Sequence, residues 1–126
     1  MSVTQNNQFT AIDFRYIKDT DLLGSGSTPQ SNAFGASGKL YQIDFDNTQG
    51  SATVAYLKLY DTNLAITEGT TVPDFEFKIP AGERKYFTFP DGLTFSSGFG
   101  YTASQSAGTT AGTALGSAPT IIFTYK

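Results

Sequence analysis

The sequence contains neither cysteine nor histidine among its 126 residues. Without cysteine, disulfide bonds and Cys-rich metal sites cannot form. Without histidine, the commonest general base, the Ser-His-Asp arrangement and most zinc sites are excluded. Charged residues make up only 15% of the chain and the net charge is −3. Because no basic cluster is present, we expect no binding to a nucleic-acid backbone.

Long apolar runs are also missing. No run approaches the roughly 18 residues that a membrane-spanning helix needs, so we expect no membrane association. Residues 1–8 are polar and lack the charged and apolar regions of a signal peptide, which indicates synthesis in the cytoplasm. We therefore expect an N-terminal arm over residues 1–8, followed by one domain over residues 9–126.

Aromatic residues, by contrast, make up 14% of the chain, which also contains 13 glycines. Short runs of alternating apolar and polar residues are separated by turn signals, and no 3.6-residue helical pattern is found. This combination predicts an all-β, single-domain antiparallel β-sandwich or jelly roll of about seven to eight strands.

The clearest strand pattern lies in three alternating runs, at residues 75–79, 83–89 and 99–103. Two turn sequences separate them, Pro80-Ala81-Gly82 and Pro90-Asp91-Gly92, in which Pro presets φ and Gly tolerates a positive φ. We therefore predict a β-meander of three neighbouring strands with a phenylalanine-rich face against the core.

The other predicted strands are residues 9–17, 39–46, 52–60 and 120–125. The first places Phe14 and Tyr16 on its apolar side, and the second places Tyr41, Ile43 and Phe45 there. The strand at 52–60 is apolar on both sides, which predicts a central strand with a layer covering each of its faces.

Two long Gly/Ser/Thr-rich loops, residues 19–38 and 104–118, separate these strands. The first carries Leu22, Leu23 and Phe34, which either tuck under the loop as a small cluster or contact another chain, and the second carries a single large anchor, Leu115. Loops of this length are usually functional, and interfaces concentrate their energy in a few apolar anchors. We predict that the loops and the 1–8 arm bind partners, with Leu22, Leu23, Phe34 and Leu115 as the partner-binding residues.

Candidate catalytic residues are limited to carboxylate pairs. Glycoside hydrolysis needs two carboxylates, and Asp44 with Asp46, or Asp74 with Glu76, lie on common strand sides. Their phase is opposite to the apolar side chains, so we interpret them as solvated strand decoration. The aromatic residues could form a platform for sugar stacking, but strand-periodic aromatics usually belong to the core. We predict no catalytic, metal-binding or cofactor-binding residues, and no enzyme activity.

Three segments resemble a known class of protein: TVAYLKLYDTN at 53–63, TVPDFEFKIPAGERKYFTFPDGLTFSSGFGYTAS at 71–104, and IIFTYK at 121–126. They are similar to small β-sandwich virion structural proteins of tailed bacteriophages, of the head-decoration or cement kind. The resemblance covers residues 52–126. It implies an oligomeric, non-enzymatic module that binds the major capsid protein at the virion surface and is made in the host cytoplasm.

The favoured hypothesis is therefore a capsid decoration protein, expected as a homotrimer without cofactors. The alternative is a tail- or fibre-associated β-sandwich that recognises a host-surface glycan through exposed aromatic residues. A third hypothesis is a small hydrolase that uses a carboxylate pair.

Overall fold

The computed structural model describes residues 14–22, 29–110 and 112–126. These residues form seven strands in two antiparallel sheets, which confirms the predicted all-β sandwich. The four-stranded sheet has the order β1-β7-β2-β5 and the three-stranded sheet the order β4-β3-β6. The strands are β1 Arg15–Asp19, β2 Gly38–Asp46, β3 Ala55–Asp61, β4 Phe75–Ile79, β5 Arg84–Phe95, β6 Phe99–Ser104 and β7 Thr120–Tyr125. The predicted arm at 1–8, and the predicted strand residues 9–13, lie outside the described ranges.

The core lies between the two sheets and follows the predicted alternation. The inner strands of the two sheets contribute alternate side chains that are fully buried, such as Phe45 of β2, Leu57 of β3 and Phe123 of β7. Across the gap, Phe99 of β6 packs edge-on against Phe123 of β7, with ring centroids 5.0 Å apart. Such interdigitation of alternate residues from facing sheets is how a sandwich excludes water.

The predicted meander is wrong. β4 pairs with β3 in the three-stranded sheet, β5 pairs with β2 in the four-stranded sheet, and β6 returns to pair with β3. Between β4 and β6 the chain therefore crosses between the sheets twice. The physical reason is visible at Phe77 of β4 and Phe87 of β5, whose ring centroids are 4.6 Å apart. Strands in opposite sheets can bury two phenylalanine-rich faces against each other, whereas neighbours in one sheet would need a separate layer.

The predicted turn at residues 90–92 does not end a strand. β5 continues through it, and Leu40↔Leu93 and Gln42↔Thr88 are consecutive pairs with β2, so residues 89–92 form a large bulge. Pro90 is tolerated because β5 is an edge strand. The positive φ expected for Gly92 is confirmed, at 76°.

Because of the same irregularity, the prediction that Tyr41 lies on the buried side of β2 is wrong. The register shift between Leu40 and Gln42 brings Leu40, rather than Tyr41, onto the buried side with Ile43 and Phe45. Tyr41 instead packs against the ring of Phe14, at a centroid distance of 5.2 Å. A bulge changes the phase of every residue before it, and alternation alone cannot show where one occurs.

β3 matches its prediction closely. It is the central strand of its sheet and is buried on both sides, from Leu57 and Leu59 on the inner face to Lys58 and Tyr60 on the outer face. Something must therefore cover the outer face of this sheet.

Candidate functional site

The structure places the predicted partner-binding residues in or against the core. Leu22 and Leu115 are 2% and 5% exposed. Phe34 is partly buried and stacks on the rings of Tyr125 and Phe99, at centroid distances of 4.1 and 4.5 Å. Leu23 lies outside the described residues. The three described side chains thus pack within the chain, and Leu22 and Leu115 offer almost no surface. Their role in partner binding stays a prediction.

The described parts of both loops are held by backbone hydrogen bonds as well as by burial. Gln30 and Tyr101 exchange two backbone hydrogen bonds, of 3.0 and 2.8 Å, so the first loop returns onto β6. In the second loop, the Gln105 amide donates to the Thr113 carbonyl at 2.9 Å, and the Gly116 amide donates to Thr53 Oγ1 at 3.0 Å. Neither described loop region depends on a second chain for these contacts.

The exposed large hydrophobic side chains of the described residues fall into two groups. Three lie on or beside the outer face of the four-stranded sheet: Phe14, Tyr16 and Tyr86, which are 48%, 71% and 56% exposed. The other three are Leu64, Val72 and Phe75, which are 71%, 70% and 36% exposed. The two groups define two candidate binding surfaces.

The first surface, here called the aromatic face, is built from cross-strand rows. Antiparallel partners share a face of the sheet, so the register places four residues in each of two outward rows. One row is Tyr16, Thr124, Gln42 and Thr88; the next is Lys18, Ile122, Asp44 and Tyr86. Phe14 and Tyr41 extend the face at the corner beside Tyr16.

An open groove lies at the β1 side of the aromatic face. Its volume is about 390 Å³, and it is lined by Phe14, Arg15, Tyr16, Ile122 and Thr124. Ligand sites typically enclose 300–1,000 Å³ behind mostly apolar walls. The groove is therefore large enough for one small ring-shaped group.

Two acidic side chains on this face have hydrogen-bonding partners. Arg84 donates two hydrogen bonds to Asp44, from Nε at 3.0 Å and from Nη2 at 2.8 Å, and this raises the pKa of the Arg84 guanidinium. Asp46 accepts hydrogen bonds from the backbone and hydroxyl of Thr48, and the hydroxyl bond is the main cause that lowers its pKa. Asp44 and Asp46 are thus both engaged in hydrogen bonds within the chain. The hydrolase interpretation of this pair stays a hypothesis.

The second surface, here called the apolar connection, is the 62–74 segment between β3 and β4. Its two ends are tied together, because the Asp61 amide donates to Asp74 Oδ2 at 2.6 Å and the Asp74 amide donates to the Leu59 carbonyl at 2.8 Å. Within it, the Thr71 amide donates to the Thr67 carbonyl at 2.8 Å. Leu64 and Val72 are therefore held outward on a fixed backbone, whereas Phe75, the first residue of β4, contacts the ring of Phe95 at a centroid distance of 6.0 Å.

The other side of this connection covers the outer face of the three-stranded sheet, here called the covered face. Lys58 is fully buried there, and its Nζ lies 3.4 Å from both Glu68 Oε1 and the Thr110 carbonyl oxygen. Burial, with smaller contributions from the nearby charges of Glu68 and Glu76, raises the pKa of Tyr60 to about 12. One strand thus presents an amine and a phenol to two covering segments, residues 62–74 and 105–118.

Within residues 14–22, 29–110 and 112–126, no cluster of three or more acidic, histidine or cysteine side chains could hold a metal ion. The same ranges contain no helix with the length and apolar character needed to cross a membrane.

Comparison with known proteins finds no match: no protein family, curated protein or solved structure corresponds to this chain. The resemblance to tailed-phage virion proteins therefore stays a prediction based on residues 52–126.

Proposed function

We propose that the chain is a structural protein of a tailed-bacteriophage particle, of the head-decoration or cement kind. It binds assembled coat protein at the capsid surface as an oligomer, with a homotrimer favoured, and it catalyses no reaction. The proposal is supported by the β-sandwich fold and by the strand and turn segments that carry the resemblance. β3, β4, β5, β6 and β7 are all built from those segments.

The apolar connection is the surface through which we propose that the chain contacts coat protein. It joins the first two resembling segments, and its side chains Leu64 and Val72 are about 70% exposed. Large apolar side chains on a backbone fixed before binding lose little conformational entropy on association. Such residues commonly act as the anchors of a protein interface. We therefore assign coat-protein contact to Leu64 and Val72 rather than to the buried loop leucines.

The test is co-sedimentation with capsids that lack the native protein. Changing Leu64→Ser together with Val72→Ser should abolish co-sedimentation while leaving the melting temperature close to that of the parent, because both side chains are exposed. A matched control on the other surface, Tyr16→Ser, should bind as the parent does. Undiminished binding of the double variant would rule out the apolar connection as the attachment site. Analytical ultracentrifugation of the purified protein tests the trimer.

The alternative is a tail- or fibre-associated module that recognises a host-surface glycan. It requires exposed aromatic rings, and Tyr16 and Tyr86 on the aromatic face meet that requirement. Failure of the parent protein to bind capsids, together with binding to cell-surface glycans, would favour this alternative.

A further inference from the structure

We infer that the aromatic face binds a neutral oligosaccharide, which lies across the strands from Tyr16 to Tyr86. This is a second binding activity, separate from coat-protein attachment through the apolar connection. It holds for either position of the protein on a particle, head or tail.

The distribution of side chains on the face favours a sugar over a protein. A protein interface usually has an apolar centre inside a polar rim. Along the two rows of the aromatic face, the rings of Tyr16 and Tyr86 lie at opposite ends, and three polar side chains, Thr124, Gln42 and Asp44, lie between them with one apolar residue, Ile122. Sugars combine apolar C–H faces, which stack on aromatic rings, with hydroxyl groups that need hydrogen-bonding partners. Hydroxyl, amide and carboxylate side chains between two rings supply both kinds of contact.

The distance across the face sets the size of the ligand. Tyr16 lies on β1 and Tyr86 on β5, at opposite edges of the four-stranded sheet. Three steps of about 4.8 Å between neighbouring strands separate them by roughly 15 Å. A single sugar ring cannot reach both tyrosines, whereas a short oligosaccharide can. Its terminal ring would occupy the groove of about 390 Å³ between Phe14, Tyr16 and Ile122.

The charges of the face favour a neutral ligand. The Arg84 guanidinium, which could otherwise recognise a carboxylate or sulfate, already makes two hydrogen bonds to Asp44. Two parallel bonds of this kind form a stable, directional pair. Three further cations lie near the face: Lys18 at its edge, Arg15 at the groove, and Lys126, whose Nζ is 5.8 Å from the centroid of the Phe14 ring. All three are exposed, so solvent weakens their attraction for an anion. Among the described residues, no desolvated charge is therefore directed toward the ligand.

Two of the rings, those of Phe14 and Tyr86, are held in place before a ligand arrives. Phe14 packs edge-on against Tyr41 at 5.2 Å, and the Arg84 guanidinium lies over the ring of Tyr86 at 5.2 Å from its centroid. These contacts, together with the strand backbone, restrict the rings to few orientations. Preorganised surfaces bind more tightly because less freedom is lost on association.

The experiment is a glycan array of neutral and acidic glycans probed with the full chain. It is followed by NMR titration of the full chain with soluble neutral oligosaccharides of glucose, mannose and N-acetylglucosamine. We expect binding to at least one neutral oligosaccharide, with chemical-shift changes at Tyr16, Gln42 and Tyr86. Tyr16→Ala and Tyr86→Ala should each weaken it by about tenfold. Leu64→Ala, which removes an equally exposed side chain elsewhere, should leave the affinity unchanged.

Three results would overturn the inference. One is the absence of binding to any neutral oligosaccharide up to millimolar concentration. Another is binding confined to sialylated or sulfated glycans, and the third is binding that both tyrosine variants retain. Loss of capsid co-sedimentation in Tyr16→Ala, without glycan binding by the parent, would instead identify the face as a protein interface. Co-sedimentation of the Leu64 and Val72 variants is independent of all these results, so the two proposals can fail separately.

Discussion

The outer face of the four-stranded sheet is open, whereas the outer face of the three-stranded sheet is covered by two segments of the same chain. On the open side, Tyr16 is 71% exposed and Tyr86 is 56% exposed. On the covered side, Tyr60 is only 1% exposed, and Lys58 beside it is completely buried. Residues of similar chemistry on equivalent sheet faces thus lie in opposite environments.

The difference originates in the central strands. β7 presents Thr120, Ile122 and Thr124 to its outer side. The hydroxyl groups of the two threonines can hydrogen-bond to solvent. β3 presents Tyr56, Lys58 and Tyr60, whose rings and long aliphatic stem gain more from burial. Residues 62–74 and 105–118 supply that burial. The covered face therefore contributes to stability, and the open face remains available for a ligand.

The largest effect is expected from breaking the ion pair under the cover. Glu68→Ala removes the carboxylate 3.4 Å from Lys58 Nζ and leaves a fully buried amine without its counter-charge. Breaking a buried pair in this way costs about 3–5 kcal/mol, so urea unfolding should show a loss near the lower end of that range. Adding Lys58→Met to Glu68→Ala should restore much of it, because the buried charge is then removed as well.

A matched control for this variant is Glu83→Ala. Glu83 pairs with Lys85 at 3.0 Å, and both side chains are nearly half exposed. Exposed pairs contribute about 0–1 kcal/mol, so the midpoint of unfolding should move little. Equal losses for Glu68→Ala and Glu83→Ala would mean that the covered face is open to solvent in solution.

A smaller effect is expected from a methyl group placed between the cover and the sheet. Gly112 lies in the covering segment, and a Cβ atom there would clash with the Ser104 side chain of β6. We expect Gly112→Ala to cost about 1–3 kcal/mol through overpacking. Gly50→Ala is the control, since nothing lies within 4 Å of a Cβ at Gly50. If thermal melting shows the two variants to be equally stable, the segment does not pack on β6 as described.

The strand pattern predicted which side chains enter the core more reliably than it predicted which strands are neighbours. Alternation identifies the buried side of residues 75–79 and 84–89, and Phe77, Phe87 and Phe89 do pack on the core. Alternation carries no information on which sheet a strand joins. The meander was therefore wrong, because mutual burial of two phenylalanine-rich faces requires strands in opposite sheets.

The candidate surfaces were less predictable than the core. Tyr16 was expected on the buried side of β1, but Ile17 and Asp19 occupy that side, and the hydroxyl of Tyr101 donates to buried Asp19 Oδ2 at 2.8 Å. Because Asp19 is buried with the hydroxyl of Tyr101, the buried side of β1 is opposite to the side that its apolar residues alone predict.

Leu22 and Leu115 were expected to be accessible because their loops are polar. Whether a loop leucine is buried depends on three-dimensional packing, which local composition does not encode.

The smallest expected effect is a loss of folding stability at alkaline pH that originates in the covered face. Burial raises the pKa of Tyr60 to about 12, against an ordinary value of 10.0, so its neutral form is favoured in the folded state. Between these two values the unfolded chain has released the proton and the folded chain has not, so stability falls as pH rises above about 10.

Tyr60→Phe removes this group from the titration. Its free energy of unfolding should therefore decline less steeply across that interval than that of the parent, when both are measured by urea unfolding at a series of pH values. Leu64→Ala, which changes no titratable group, is the control and should decline as the parent does. If Tyr60→Phe and the parent lose stability in parallel, the phenol of Tyr60 is hydrated in solution, and the contrast between the two faces is weaker than the structure indicates.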